Sequence, residues 1–199
     1  MHTLVKAGII ASVAATASAA PAPRPQLETA VLAGGCFWGM EAVFEHVRGV
    51  EDVVSGFAGG SATDATYERV SSEATRHAEA VRITFDPSQV TYFDLLKIYF
   101  TVAHDPTQLN RQGPDVGPSY RSAIFPQTRQ QRALAERSIA QLKARGKPIA
   151  TRIETGGFFP AEAYHQDYVR KHPNAGYVVV NDLPKLGHLK AKYPQWWRA

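Results

Sequence analysis

The apolar positions of this chain alternate between helical and strand periods in a way that lays out a mixed set of elements. Ala30-Val31-Leu32-Ala33 is a short continuous apolar run, read as a buried strand. Met40, Val43, Phe44 and Val47 then recur at the i, i+3, i+4, i+7 spacing of an amphipathic helix, with Glu41, Glu45 and Arg48 on its other face and Gly49 placed to end it. A strand is expected over 50–56, followed by a loop that starts at Gly59-Gly60-Ser61 and carries Tyr67. Val81, Ile83 and Phe85 alternate with Arg82 and Thr84, the period-two pattern of a half-buried strand, and Glu79 stands near its start. Thr91 and Asp94 have the spacing of a capping box, ahead of a helix whose core face is Tyr92, Leu95, Leu96 and Tyr99. A stretch rich in turn residues runs from His104 to Pro118. Beyond it the pattern predicts a strand over 120–125, a polar helix over 128–145, a strand over 149–154, a short helix over 162–171 and a mostly irregular tail from Asn181 to Ala199. The first six elements run β-α-β-β-α-β, so the expected fold class is α+β: a ferredoxin-like, split β-α-β two-layer sandwich with extra C-terminal helices and an irregular tail.

The first strand and first helix are joined by Gly34-Gly35-Cys36-Phe37-Trp38-Gly39, which holds the only cysteine of the 199 residues. A lone cysteine is by default a small buried hydrophobe. Here the paired glycines permit a tight turn and close approach of another molecule, and the helix start offers free N–H groups and partial positive charge that favour a thiolate. The setting therefore points to a nucleophile.

Composition narrows the classes. Hydrophobic residues at 44% and charged residues at 20% fit one globular domain, expected over 29–199. The formal charge of +4 comes from 22 basic and 18 acidic residues that are interspersed, so no nucleic-acid partner is expected. Residues 1–20 carry Lys6 as their only formal charge, an apolar stretch from Ala7 to Val13, and Ala17-Ser18-Ala19 ahead of Pro21. That pattern resembles a secretory signal peptide, with residues 21–28 as a Pro-rich linker and with export to a periplasm or outside the cell as the expected destination. The apolar run is too short for a permanent membrane anchor. In an oxidising compartment, an unpaired cysteine suggests a reactive thiol.

Gly35-Cys36-Phe37-Trp38-Gly39 followed by Glu41 and Phe44 resembles the active-site signature of the A-type peptide methionine sulfoxide reductases. The resemblance continues through Gly56-Phe57-Ala58-Gly59-Gly60, Thr66-Tyr67-Glu68, His77-Ala78-Glu79-Ala80, His104-Asp105-Pro106-Thr107, Asn110-Arg111-Gln112-Gly113, Asp115-Val116-Gly117, Tyr120-Arg121-Ser122 and Ala161-Glu162-Ala163-Tyr164-His165-Gln166. It covers about residues 29 to 190. It implies thiol-dependent reduction of the S epimer of methionine sulfoxide in oxidised proteins or peptides, with no bound cofactor and no metal. It also implies roles: Cys36 as nucleophile, Glu79 as acid, Tyr67 and Tyr120 as hydrogen-bond donors toward the sulfoxide oxygen, Asp115 as holder of a neighbouring network, and Phe37 and Trp38 as an apolar wall for the S-methyl group. By residue type alone, Phe37 and Trp38 fit a core role equally well, and Glu79 a solvated surface.

Three departures stand out. The chain has no second cysteine to resolve a sulfenic acid, so the recycling thiol is expected from outside, from a thioredoxin-like protein or a small thiol. Ser71 stands where many members carry another cysteine. Phe57 replaces a frequent tyrosine and Arg76 a frequent glycine. The competing possibilities are a Cys/His hydrolase using His77, His104 or His165 as base, and a non-enzymatic peptide-binding module on Phe37 and Trp38. His104 beside Asp105 and His165 near Asp167 do not make a recognisable metal group. A monomer is expected.

Overall fold

A computed structural model describes residues 26–199; the leader and the Pro-rich stretch as far as residue 25 lie outside the described residues. The chain forms β1 (Glu28–Ala33), α1 (Phe37–Glu45), β2 (Val50–Ala58), α2 (Tyr67–Ser71), β3 (Ala78–Phe85) and α3 (Tyr92–Ile98). It continues with β4 (Arg111–Gln112), β5 (Asp115–Val116), β6 (Ala123–Phe125), α4 (Arg129–Ala144), β7 (Arg152–Ile153), β8 (Phe158–Pro160), α5 (Tyr168–Lys171) and α6 (Leu183–Lys192). β1 starts inside the stretch expected as linker, because Glu28 already pairs with Phe85.

The main sheet has six strands in the order β7-β6-β1-β3-β2-β8. Its central four, β6-β1-β3-β2, are antiparallel and give the α+β sandwich expected from the element order. β8 extends one edge antiparallel to β2, and β7 extends the other parallel to β6. On one face Leu32, Phe57, Val81, Ile83 and Phe85 pack against Met40, Val43 and Phe44 of α1 and Leu95 and Leu96 of α3. Each such fully buried side chain is worth roughly 1.5–3 kcal/mol. The reverse face is narrow: Ala33, Ala58, Ala78, Ala80 and Ala123 lie there with Val31, Phe125 and Phe158. Burial on both faces is why β1 reads as continuously apolar.

The structure differs from the sequence pattern in five places. Tyr67 opens a helix instead of sitting in a loop, because the Thr66 side chain caps α2 by accepting from the Arg69 N–H. The strand expected over 120–125 begins at Ala123, since Gly117 (φ 149) and Pro118 start a 3-10 turn through Tyr120; the strand expected over 149–154 shortens to β7. The helix expected over 162–171 is split by extended Gln166 and left-handed Asp167 (φ 56) into a 3-10 turn, Ala163–His165, and α5. Gln166 is held there by pairing its amide with both backbone groups of Ser55, at 2.9 Å each. The tail is not irregular. A π-helical turn, Val178–Asp182, leads into α6, and the terminus is tied to α1 by Arg48 N–H to Trp196 O (2.7 Å) and Arg198 N–H to His46 O (2.8 Å).

Candidate active site

Cys36 occupies the N-cap of α1, at the end of the sheet where β1 stops and β3 starts. Gly35 reaches it with φ +90, and a Cβ there would lie 2.5 Å from the Gln112 side chain, so only glycine carries the chain under that loop. Gln112 is fixed in turn by accepting from Asp105 N–H and donating to Asp105 O, both at 3.1 Å. Beneath the turn, Tyr99 donates to Ala33 O (2.7 Å) and His104 Nε2 meets Ser122 Oγ (2.7 Å). Burial holds His104 down at about 4, so the ring is neutral; its Nδ1–H donates to Tyr99 O and Nε2 accepts from Ser122.

Glu79 is the second element of the site. It stands at the start of β3, is 3% exposed, and accepts the Phe37 N–H at 3.0 Å, the first free donor of α1. Burial pushes its carboxyl up to about 8 against the opposing pull of that N–H, so it is protonated at neutral pH. Burial also pushes the Cys36 thiol well above its ordinary value, aided by the fields of Glu79, Asp182 and Asp115, while the Trp38 N–H acts the other way. The helix start alone, expected to favour a thiolate, is therefore outweighed.

Tyr67 and Tyr120 come from separate elements to the same place, and both phenols are raised by burial and by the nearby Glu79 and Cys36, so they remain donors. Two clamps fix them. Glu162 accepts the Tyr67 N–H (3.0 Å), and Arg121, 8% exposed, donates to His77 O, Pro118 O and Arg76 O while pairing twice with Glu154 at 2.9 and 2.8 Å. That guanidinium ties the turn bearing Tyr120 to the strand bearing Glu79. Asp115, on β5, accepts a hydrogen bond from the Tyr177 hydroxyl.

The aromatic pair divides. Trp38 is half-buried, donates Nε1–H to His165 Nδ1 (3.1 Å) and stacks on Tyr168 with ring centres 3.7 Å apart. Phe37 is only 1% exposed and packs between Phe57 (5.7 Å) and His165 (5.0 Å). It lies in the core behind the site, and its link to the chemistry is its N–H on Glu79, not an exposed wall. Phe57 is likewise buried, Ser71 is exposed at the end of α2, and Arg76 is exposed at the rim.

A cavity of about 70 Å³ opens onto Cys36, lined also by Gln112, Asp115, Tyr177, Asn181 and Lys185. It has roughly the space of two waters, enough for the tip of a side chain. Larger grooves lie beside β1 and α4 (about 860 Å³) and around Arg121 (about 570 Å³), away from the thiol. Tyr177, Asp182 and Lys185 are the participants that the sequence pattern missed. The closeness of Asp182 and Lys185 to α1 requires Gly39: a Cβ there would lie 2.2 Å from Asp182 Oδ1 and 2.5 Å from Lys185 Nζ. Gly39→Ala is accordingly expected to destabilise the fold by about 1–3 kcal/mol despite alanine's better helix propensity, measured as a lowered thermal midpoint. An unchanged midpoint would show that α6 does not pack there.

The histidines of a hydrolase reading are engaged elsewhere, with His104 on Ser122 and Tyr99, His165 on Trp38, and His77 on Thr75 at 3.2 Å. Among the described residues, no group of three His, Cys, Asp or Glu side chains is arranged to hold a metal ion.

Residues 28–196 match the sequence model of the family described as peptide methionine sulfoxide reductase. A relative from Mesorhizobium japonicum, peptide methionine sulfoxide reductase MsrA 2, is 54% identical over 174 residues, covering 85% of this chain and 89% of the relative. Its namesake in Synechocystis is 53% identical over 170 residues, 83% of this chain and 79% of that one. The structure is similar to reduced Mxr1 from Saccharomyces cerevisiae (TM-score 0.68, 31% identity, 77% of this chain and 90% of that chain). It is also similar to methionine sulfoxide reductase A of Corynebacterium diphtheriae (TM-score 0.66, 36% identity, 75% and 77%). With a family match spanning nearly all of the described fold, the chain belongs to the A-type peptide methionine sulfoxide reductases, thiol-dependent enzymes that return methionine S-sulfoxide to methionine.

Proposed function

We propose that Cys36 is the nucleophile of this reaction and Glu79 its acid. The observation that carries this is the adjacency of the thiol to a buried carboxyl held protonated at neutral pH, with one oxygen already committed to Phe37 N–H. In the step proposed, the Cys36 sulfur, its own proton released, attacks the sulfoxide sulfur while Glu79 delivers a proton to the sulfoxide oxygen. The sulfur–oxygen bond of the substrate breaks, the oxygen passes to Cys36 as a sulfenic acid, and methionine leaves two electrons richer. Glu79 regains its proton from solvent. Tyr67 and Tyr120 donate to the oxygen as charge develops on it, Trp38 faces the methyl group, and Asp115 with Tyr177 closes the cavity wall.

Recycling then requires an external thiol, a thioredoxin-like protein or a small thiol, that attacks the sulfenic acid, releases water and leaves a mixed disulfide which a second thiol resolves. The absence of any second cysteine supports this. The leader pattern supports export, and the short strands β7 and β8 at the sheet edges support a monomer with no long edge to pair. Among the described residues, no helix is long and apolar enough to cross a membrane.

The test is one equivalent of methionine sulfoxide without reductant. One methionine should form and the protein should gain one oxygen, about 16 Da, then stall. Continued methionine formation with an unchanged protein mass and no thiol present would overturn the recycling scheme.

A further inference from the structure

The cavity at Cys36 is rich in carboxyl groups, and one cation stands against them. Asp115 lines it, Glu79 lies behind the thiol, and Asp182, with 0% of its surface exposed, flanks the first turn of α1. Tyr67, Tyr120 and Tyr177 add phenols and no positive charge. Among the residues lining the cavity, Lys185 is the single basic side chain. Its placement is built. The ammonium donates to Asp182 Oδ1 at 3.3 Å, the side chain is 20% exposed, and α6 presents it beside Gly39, about one helical turn from Cys36. Asp182 has a second, buried oxygen without a hydrogen-bond partner, which leaves Lys185 as the cation that meets this carboxyl.

We propose that Lys185 is the counter-charge of the Cys36 thiolate, a positioning residue that sets how readily the nucleophile forms. This rests on Cys36 being the nucleophile. A thiolate formed beside Asp115 and Asp182 meets like charge. The ammonium at the start of α1 adds to the partial positive charge of the helix terminus and lowers the cost of ionising the sulfur. Asp182 aims the lysine, and the glycine at position 39 leaves room for both groups.

The experiment follows Cys36 alkylation by mass, as rate against pH, in the full chain. Lys185→Gln keeps a donor for Asp182 and removes the charge; Lys185→Arg keeps the charge. An opposite charge within about 4–6 Å moves a thiol by about one pH unit or more, so the Gln variant should alkylate roughly tenfold more slowly at neutral pH, with its pH midpoint displaced upward. Single-turnover sulfoxide reduction should slow in parallel, and Arg should restore most of both. A second measurement needs no variant: iodoacetate, an anion, should compete with neutral iodoacetamide at Cys36 at least as well as it does at a free thiol. Alkylation of Lys185→Gln at the parent rate across pH, or discrimination against iodoacetate in the parent, would overturn the proposal. Failure of the underlying assignment reads differently, as turnover surviving Cys36→Ser.

Discussion

Cys36→Ser is expected to lose sulfoxide reduction by on the order of 10⁴-fold or more while its thermal midpoint stays level or rises. The two halves have separate causes. A hydroxyl does not ionise near neutrality and is a poor nucleophile at sulfur, and no other cysteine exists to take the role. The fold gives nothing up, because Cys36 sits at the N-cap of α1 and makes no side-chain capping hydrogen bond there. Serine is among the preferred residues at such a position and can accept from the first-turn N–H groups, worth up to about 1 kcal/mol. The chain thus keeps a locally inferior cap at the one place where it needs a thiol. Methionine release in a single turnover and a melting curve, measured on the same preparation, test both halves. Turnover within tenfold of the parent would remove Cys36 from the mechanism.

Where side-chain period and local chemistry agreed, the fold was legible in the chain. The capping box at Thr91 and Asp94 is present in both directions, Tyr92, Leu95 and Leu96 form the core face of α3 as expected with Tyr99 buried just past its end, and Thr128 caps α4. The cysteine turn read correctly because glycines, helix period and strand end all fall within a few residues of Cys36. Elements closed by distant partners were not legible. Extended Gln166 is held by the backbone of Ser55, 111 residues earlier, and no local pattern announces that. The missed α6 had a usable signal in Leu183, Leu186 and Leu189 at threes, with Pro184 in its first turn, but Gly187 within it weakened the helical pattern. Missing that helix meant missing Lys185 and Asp182. Phe37 was misplaced for a different reason: being next to the nucleophile in sequence says nothing about which way a helix turns its ring, and here the ring faces the core.

Glu79→Gln is the sharper test of mechanism, because it separates binding from proton delivery. The amide can still take the Phe37 N–H on its oxygen and offer an N–H to the substrate, so substrate affinity should hold within a few-fold. It has no proton to give, and the single-turnover rate should fall by roughly 10²- to 10⁴-fold. The same substitution has a signature in stability. Burial holds the Glu79 carboxyl at about 8 in the folded chain, against 4.5 when unfolded. Between those values the folded state keeps a proton that the unfolded state has released, so this contribution to stability is full below 4.5, declines as pH rises, and is gone above about 8. Glutamine does not titrate. The variant should therefore gain on the parent as pH climbs from 5 to 8, by at most about 4 kcal/mol, from three pH units at roughly 1.4 kcal/mol each. Glu41 and Glu45, both raised to about 7, titrate in the two proteins alike and cancel in the difference. Denaturant unfolding of both proteins at several pH values measures it. A stability difference that stays flat from pH 5 to 8 would mean that Glu79 is already ionised in the folded enzyme, and an ionised carboxylate has no proton to deliver to the departing oxygen.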